Sequence, residues 1–268
     1  MKEDAISLGQ YIDSLQSRGA YWFLRQDAMR ALALSGDAFK MAAHRLVKKG
    51  RLRRIRGEFY ALVPLEYRAI GSLPATWFID ALMQHLSQKY YVGLLSSASF
   101  HEAAHQQPMV FQVITDKRTR MITVGQVRIQ FLYKKLISDH FFQQMKTDTG
   151  LMHVATPEMT AFDLVRYMGV SGQVNHVATV LCELAEQLNA EQLATLVAQG
   201  DVEISVAQRL GYLLETLALP VELTSLENVL KNKKLIKRWL VTKGQRIIIS
   251  QNIKWHILVN ETVEPDDL

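Results

Sequence analysis

Between Asp37 and Arg56 the chain reads Asp37-Ala-Phe-Lys-Met-Ala-Ala-His-Arg-Leu-Val-Lys-Lys-Gly-Arg-Leu-Arg-Arg-Ile-Arg56, eight Lys/Arg against one acid. The side chains able to donate to a polyanion are Lys40, His44, Arg45, Lys48, Lys49, Arg51, Arg53, Arg54 and Arg56. This stretch carries +7, whereas the whole 268-residue chain carries +5, so the positive charge is concentrated rather than spread. Clustered cations on a short element are the electrostatic footprint of a phosphate-backbone binder. Charge alone admits a solvated face equally well.

A second run, residues 231–246, holds seven Lys/Arg and no acid, while residues 57–230 sum to −6. Here Lys231, Lys233, Lys234, Lys237 and Arg238 are interleaved with Leu235, Ile236 and Trp239, which suits apolar anchoring beneath a charged rim. Both a solvated face and a nucleic-acid contact surface remain open for it.

Other candidate chemistry fails on its missing partners. His101-Glu102-Ala-Ala-His105 has the spacing of a zinc-protease helix, with two ligands one turn apart and a glutamate as base. The longer form of that motif needs Gly at position 108 and His at 111, where the chain has Pro108 and Phe111. Asp116 is the only carboxylate between Glu102 and Asp139, so a later acidic ligand is missing too. The histidines are therefore expected to make structural hydrogen bonds at a helix end, with no metal. Asp116-Lys117 lacks a second acid to share a divalent cation. Ser96, Ser97 and Ser99 lack the Gly-x-Ser-x-Gly elbow, and there is no Gly-rich phosphate loop. The expectation is a protein that is not an enzyme and carries no cofactor.

The elements that must position the first basic run follow from periodicity and punctuation. Ile6 to Leu15 has helical spacing and stops at Gly19; a second short helix is expected over roughly Arg25 to Leu34. Ser35 or Asp37 can cap a third helix, Asp37 to Lys49, whose apolar stripe is Phe39, Ala42, Ala43, Leu46 and Val47 and which Gly50 ends. Lys40, His44 and Lys48 then repeat on its opposite face beside Met41 and Arg45. Leu52 to Arg56 and Phe59 to Val63 flank Gly57-Glu58, a two-residue hairpin turn. Helix, helix, basic helix and basic hairpin together give the order of a winged helix-turn-helix. Such a fold places one helix in the major groove, with wing arginines on phosphates or in the minor groove.

The remainder reads as a larger mixed region. Pro64 to Gly71 resembles a linker. Ser72 and Pro74 open a helix, and Trp77 to Leu86 and Leu94 to Ala104 are expected helices. Val110 to Thr115 and Val127 to Tyr133 are expected strands. Thr156-Pro-Glu starts a further helix, helical patterns dominate through Leu230, and Arg246 to Ser250 and Trp255 to Val259 are β-rich. The expected fold class is α+β: an N-terminal winged helix-turn-helix over residues 1–66, then a mixed α/β region over 72–268 with a helical middle and a subdivision near 150. A hydrophobic content of 49% and a mean hydropathy near zero fit an ordinary folded protein, with disorder expected only at Thr262 to Leu268. No apolar stretch approaches a membrane span, and Met-Lys-Glu-Asp lacks a signal-peptide core. The single Cys182 is expected to be a buried structural thiol, and the protein to be cytoplasmic.

Four segments resemble a known family. Tyr90-Tyr-Val-Gly-Leu-Leu-Ser-Ser-Ala-Ser-Phe-His-Glu-Ala-Ala-His-Gln-Gln-Pro108 looks like the central signature of AbiEi-type antitoxins of bacterial type IV toxin–antitoxin (abortive infection) systems. Thr156-Pro-Glu-Met-Thr-Ala-Phe-Asp-Leu-Val165, Gln208-Arg-Leu-Gly-Tyr-Leu-Leu-Glu215 and Trp255-His-Ile-Leu-Val-Asn260 resemble later family segments. The family has a small residue where Glu102 stands, which makes the zinc-like spacing an accident of one substitution. The resemblance implies an autorepressor that binds inverted repeats of double-stranded DNA in its own promoter through the winged helix. It also implies a C-terminal region that opposes a nucleotidyltransferase-like toxin, a stable complex with which the type does not require. The alternative is a transcriptional regulator with a ligand-sensing C-terminal region and no toxin partner.

Overall fold

The computed structural model describes residues 6–103 and 108–265. The N-terminal Met-Lys-Glu-Asp, His105 of the zinc-like spacing and the last three residues of the acidic terminus lie outside the described residues. Contacts divide the chain into two units. The first is Met1–Tyr91, Met109–Ile137 and Gln144–His153; the second is Val92–Pro108, Ser138–Gln143 and Val154–Leu268.

The first unit opens with α1 (Leu8–Gln16), β1 (Trp22–Leu24), α2 (Arg25–Ala31), α3 (Gly36–Lys48), β2 (Leu52–Arg56) and β3 (Phe59–Leu62). Ser7 closes a capping box with Gln10 at the start of α1, and Gly19 takes a left-handed φ of 74° after it. The three strands form an antiparallel sheet in the order β1-β3-β2, with Phe23 opposite Tyr60 and Arg54 opposite Tyr60. Their apolar face meets the helices in one core of Leu8, Ile12, Phe23, Phe39, Ala43, Leu46 and Tyr60. Phe23 stacks on Tyr60 at 5.6 Å between ring centroids, and Phe39 meets Tyr60 edge-on at 5.5 Å. Such pairs add about 0.5–1.5 kcal/mol each beyond area burial.

The segment that resembled a linker is folded: Leu65–Tyr67 is a 3-10 turn, and the Gly71 amide donates to the Tyr67 carbonyl. Instead of opening directly at Ser72, the next helix begins after a second 3-10 turn, Ala75–Trp77, as α4 (Ile79–His85). Then come β4 (Tyr90–Val92), α5 (Leu94–Phe100), β5 (Phe111–Thr115), β6 (Ile122–Val124), β7 (Val127–Tyr133), β8 (Phe142–Thr147) and β9 (Gly150–Ala155). A six-stranded mixed sheet has the order β6-β7-β5-β4-β9-β8. In it β5 and β7 run parallel, with Val113 opposite Phe131, and β6 and β7 form an antiparallel hairpin.

The second unit is mainly helical. α6 (Pro157–Arg166) starts on a Thr156 cap with Pro157 in the first turn and buries eight of its ten residues. It is followed by α7 (Gln173–Leu184), α8 (Ala190–Ala198), α9 (Ile204–Thr216) and α10 (Thr224–Lys231). The described chain ends with β10 (Arg238–Trp239), β11 (Ser250–Asn252) and β12 (Ile257–Val259), a small sheet in the order β10-β12-β11. Helices and mixed sheets together make the chain α+β. Cys182 on α7 is half-buried rather than enclosed, and its burial raises the thiol pKa. Among the described residues no helix is long and apolar enough to cross a membrane.

Candidate nucleic-acid interface

α3 is built to expose one face. The Ser35 hydroxyl accepts from the Ala38 amide at 3.2 Å and caps the helix, while Gly50 ends it at φ 68°. Phe39, Ala43 and Leu46 point into the core, which leaves Lys40, Met41, His44, Arg45 and Lys48 exposed on the other side. Arg45 and Lys48 stand in the last turn, where the helix dipole favours cations. Lys49, the residue after the helix, is exposed as well.

The hairpin arginines divide into two groups. Arg54 is exposed, and its Nε donates to the carbonyl of Gly57 in the turn at 2.6 Å. Arg56 is half-buried. A register shift between Arg54 and Arg56 marks a bulge at Ile55, which is buried. Arg51 and Arg53 are committed internally. Arg51 pairs with Asp13 of α1, while Arg53 donates to the carbonyls of Gly71 at 2.9 Å and Val47 at 3.1 Å.

Between α3 and the hairpin lies a groove of about 420 Å³. Its rim carries Lys40, His44 and Arg54, and its floor is Phe39, Ala43, Val47 and Tyr60. Arg25 also lines it, a residue outside the expected set. Its guanidinium lies 5.7 Å from the centroid of the Phe39 ring and 3.5 Å from the Glu58 carboxylate. Only its place at the first turn of α2 marks it in sequence. Chemically, the groove and helix face offer exposed cationic donors around an apolar floor, a surface suited to a phosphodiester backbone and base edges.

The second basic run lies in the other unit. Lys231 ends α10, Lys233 and Lys234 follow it in a loop, and Lys237 and Arg238 lead into β10, all of them exposed. The zinc-like spacing is not presented on a helix: α5 stops at Phe100, and Glu102 adopts φ 57°. His101 is buried, with Nε2 2.7 Å from the Ala155 carbonyl oxygen. That contact occupies the nitrogen a metal would use. Among the described residues no group of three His, Cys, Asp or Glu side chains could hold a metal ion.

The segments that carried the resemblance prove to be framework. In the second unit the Thr160 hydroxyl donates to Ser97 Oγ at 2.9 Å, and the Glu158 carboxylate accepts from the Asn189 amide at 2.9 Å. Gln208 donates to the carbonyls of Trp255 at 2.9 Å and Ile236 at 3.1 Å, and the Trp255 indole donates to Glu215 at 2.8 Å. Asn260 completes the lock through the backbone of Val241 and Gln245.

In overall fold the chain is similar to the crystal structure of the RV2827C protein from Mycobacterium tuberculosis. The two superpose with a TM-score of 0.69 at 13% identity, over 94% of this chain and 90% of that one. No curated protein matches in sequence. Residues 91–216 match the family described as AbiEi antitoxin C-terminal domain, a span that takes in α5, α6 and α9 and stops short of Trp255–Asn260. The family match is confined to residues 91–216, and over that span the chain is similar to the AbiEi antitoxin C-terminal domain.

Proposed function

We propose that this protein is a DNA-binding antitoxin of a type IV toxin–antitoxin system. Residues 1–66 act as a winged helix-turn-helix that binds inverted repeats in the protein's own promoter and represses it. Residues 72–268 counteract a nucleotidyltransferase-like toxin without an enzymatic step of their own. The observation that carries the DNA-binding half is the exposed face of α3, where Lys40, His44, Arg45 and Lys48 have no carboxylate partner among the described residues. The order α1-β1-α2-α3-β2-β3 with the sheet β1-β3-β2 supports it, because that topology sets a hairpin beside the helix meant for the groove.

In this reading α3 enters the major groove with Arg45 and Lys48 toward bases or phosphates. Arg54 and Arg56 of the wing, together with Lys49, contact the flanking backbone. Arg51 and Arg53 hold the wing in place.

A promoter–reporter fusion tests repression, and co-expression with the toxin tests antitoxicity. Full-length protein is expected to silence the reporter and rescue growth. A chain lacking residues 1–66 is expected to lose repression and keep rescue. Repression that survives the deletion contradicts the assignment of DNA binding to the N-terminal elements.

A further inference from the structure

The exposed face of α3 has an apolar residue at its centre. Among the described residues of that helix, Met41 alone is a large apolar side chain left in solvent, exposed at 57%. Single exposed apolar residues are ordinary on protein surfaces, so the position of this one carries the meaning. Met41 lies two residues from Phe39 and two from Ala43, both buried in the core. At roughly 100° of turn per residue it points about 160° away from each, straight out from the face the helix buries. Lys48, seven residues on, shares that direction, and His44 and Arg45 flank Met41 at i+3 and i+4.

The donors around Met41 match phosphate oxygens and the O6 and N7 atoms of guanine. A face made only for solvent or for phosphates gains nothing from a methionine between its cations. In the major groove, thymine is the base whose edge adds an apolar group, the C5-methyl, beside its O4 acceptor. An unbranched, flexible and polarizable thioether can settle on such a methyl group. Ala38, three residues earlier and also exposed, continues the apolar strip toward the helix N-terminus, the end that recognition helices present to base edges.

We propose that Met41 is a base-reading residue, whose side chain packs on the C5-methyl group of a thymine in the major groove while the surrounding cations hold phosphates and guanine edges. The inference rests on the promoter-binding reading and adds to it a base that α3 selects. Removing the thymine methyl or removing the methionine side chain deletes the same contact, so the two losses should not add. Neither removal takes away a charge, so neither should change the salt dependence of binding.

The test is the anisotropy of a labelled duplex of the protein's own promoter bound by full-length protein, compared with duplexes in which one thymine at a time is replaced by uracil. Uracil keeps the pairing and the O4 acceptor and lacks only the methyl group. Wild type is expected to lose roughly three- to fivefold in affinity at one thymine of each repeat, the worth of about one buried methyl group. Met41→Ala, with folding checked by circular dichroism, should lose at least as much on the all-thymine duplex. It should keep the wild-type salt slope and be indifferent to uracil at that thymine. Wild type that binds the promoter duplex and ignores every uracil overturns the assignment. So does a Met41→Ala variant that binds as tightly as wild type or stays as sensitive to the same uracil. Wild type that binds the promoter duplex no better than an unrelated duplex of equal length is a separate result, which removes the promoter-binding reading and this assignment with it.

Discussion

The Arg53 guanidinium donates from Nε to the carbonyl oxygen of Gly71 at 2.9 Å, while its Nη1 reaches the Val47 carbonyl at 3.1 Å. One side chain of β2 thus joins the end of α3 to the segment leaving the hairpin. The same segment approaches the turn between β6 and β7, where a Cβ on Gly71 would lie 3.3 Å from Gly125 Cα. Arg53 therefore braces the hairpin from within, and Arg54 lies on its surface.

Arg53→Ala should cost stability rather than electrostatic affinity. It removes two charge-assisted hydrogen bonds and takes a donor from the Gly71 carbonyl, while the Val47 carbonyl keeps the Gly50 amide, a loss of about 1–3 kcal/mol. Urea unfolding should show the lower midpoint, and the salt slope of DNA binding should stay within error of wild type. Arg54→Ala should do the reverse.

Ser35→Ala tests how α3 is held. Loss of the cap should destabilise by about 1 kcal/mol, with Ser35→Gly milder. Amide exchange in the first turn of α3 should accelerate, and exchange in α9 should not change.

Gly211 and Trp255 test the framework of the second unit. Gly211 lies flush against the Trp255 ring, so a methyl group there would overlap indole carbons. Gly211→Ala should therefore destabilise by about 1–3 kcal/mol despite its better helix propensity, because overpacking opposes it. Trp255→Ala should cost about 3–5 kcal/mol. Calorimetry together with tryptophan emission checks both.

The carboxylate beside that tryptophan sets an acid limit. The hydrogen bond from Lys254 holds the Glu215 pKa below its ordinary value, with the indole N–H assisting, and the same bond raises Lys254. Glu215 thus contributes stability above the usual carboxylate range, lost as pH falls through its lowered folded pKa. Lys254 contributes below the usual lysine range, lost as pH rises through its raised folded pKa. Both groups are exposed enough for solvent screening to keep the pair under about 1 kcal/mol. Glu215→Gln should flatten the acid limb of the melting temperature against pH by lowering the neutral plateau slightly, while the acid end stays almost unchanged.

The parts legible in sequence were those whose signals are local. α3 falls within one residue of expectation because cap, apolar stripe and terminal glycine all lie within sixteen residues. β7 matches Val127 to Tyr133 because its alternation is strict. The missed elements depend on distant partners. β1 exists through its pairing with β3, and the short all-buried β4 has no alternation to read. The expected helix from Leu94 stops at Phe100 instead of Ala104, where His101 turns inward to Ala155. The site followed the same rule: exposed Lys40, His44, Arg45 and Lys48 could be read from helical spacing. The internal commitments of Arg51 and Arg53 could not, because Asp13 and Gly71 lie 38 and 18 residues away in sequence.

The central claim, that α3 binds the protein's own promoter, is tested most directly by a salt titration. Affinity for a duplex of that promoter is measured for wild type and for Arg45→Ala/Lys48→Ala across ionic strength. Each residue that reads a base should cost about 1–3 kcal/mol, and each that touches phosphate should flatten the slope of log affinity against log salt by about one unit. A double variant that binds with wild-type affinity and wild-type slope contradicts the account.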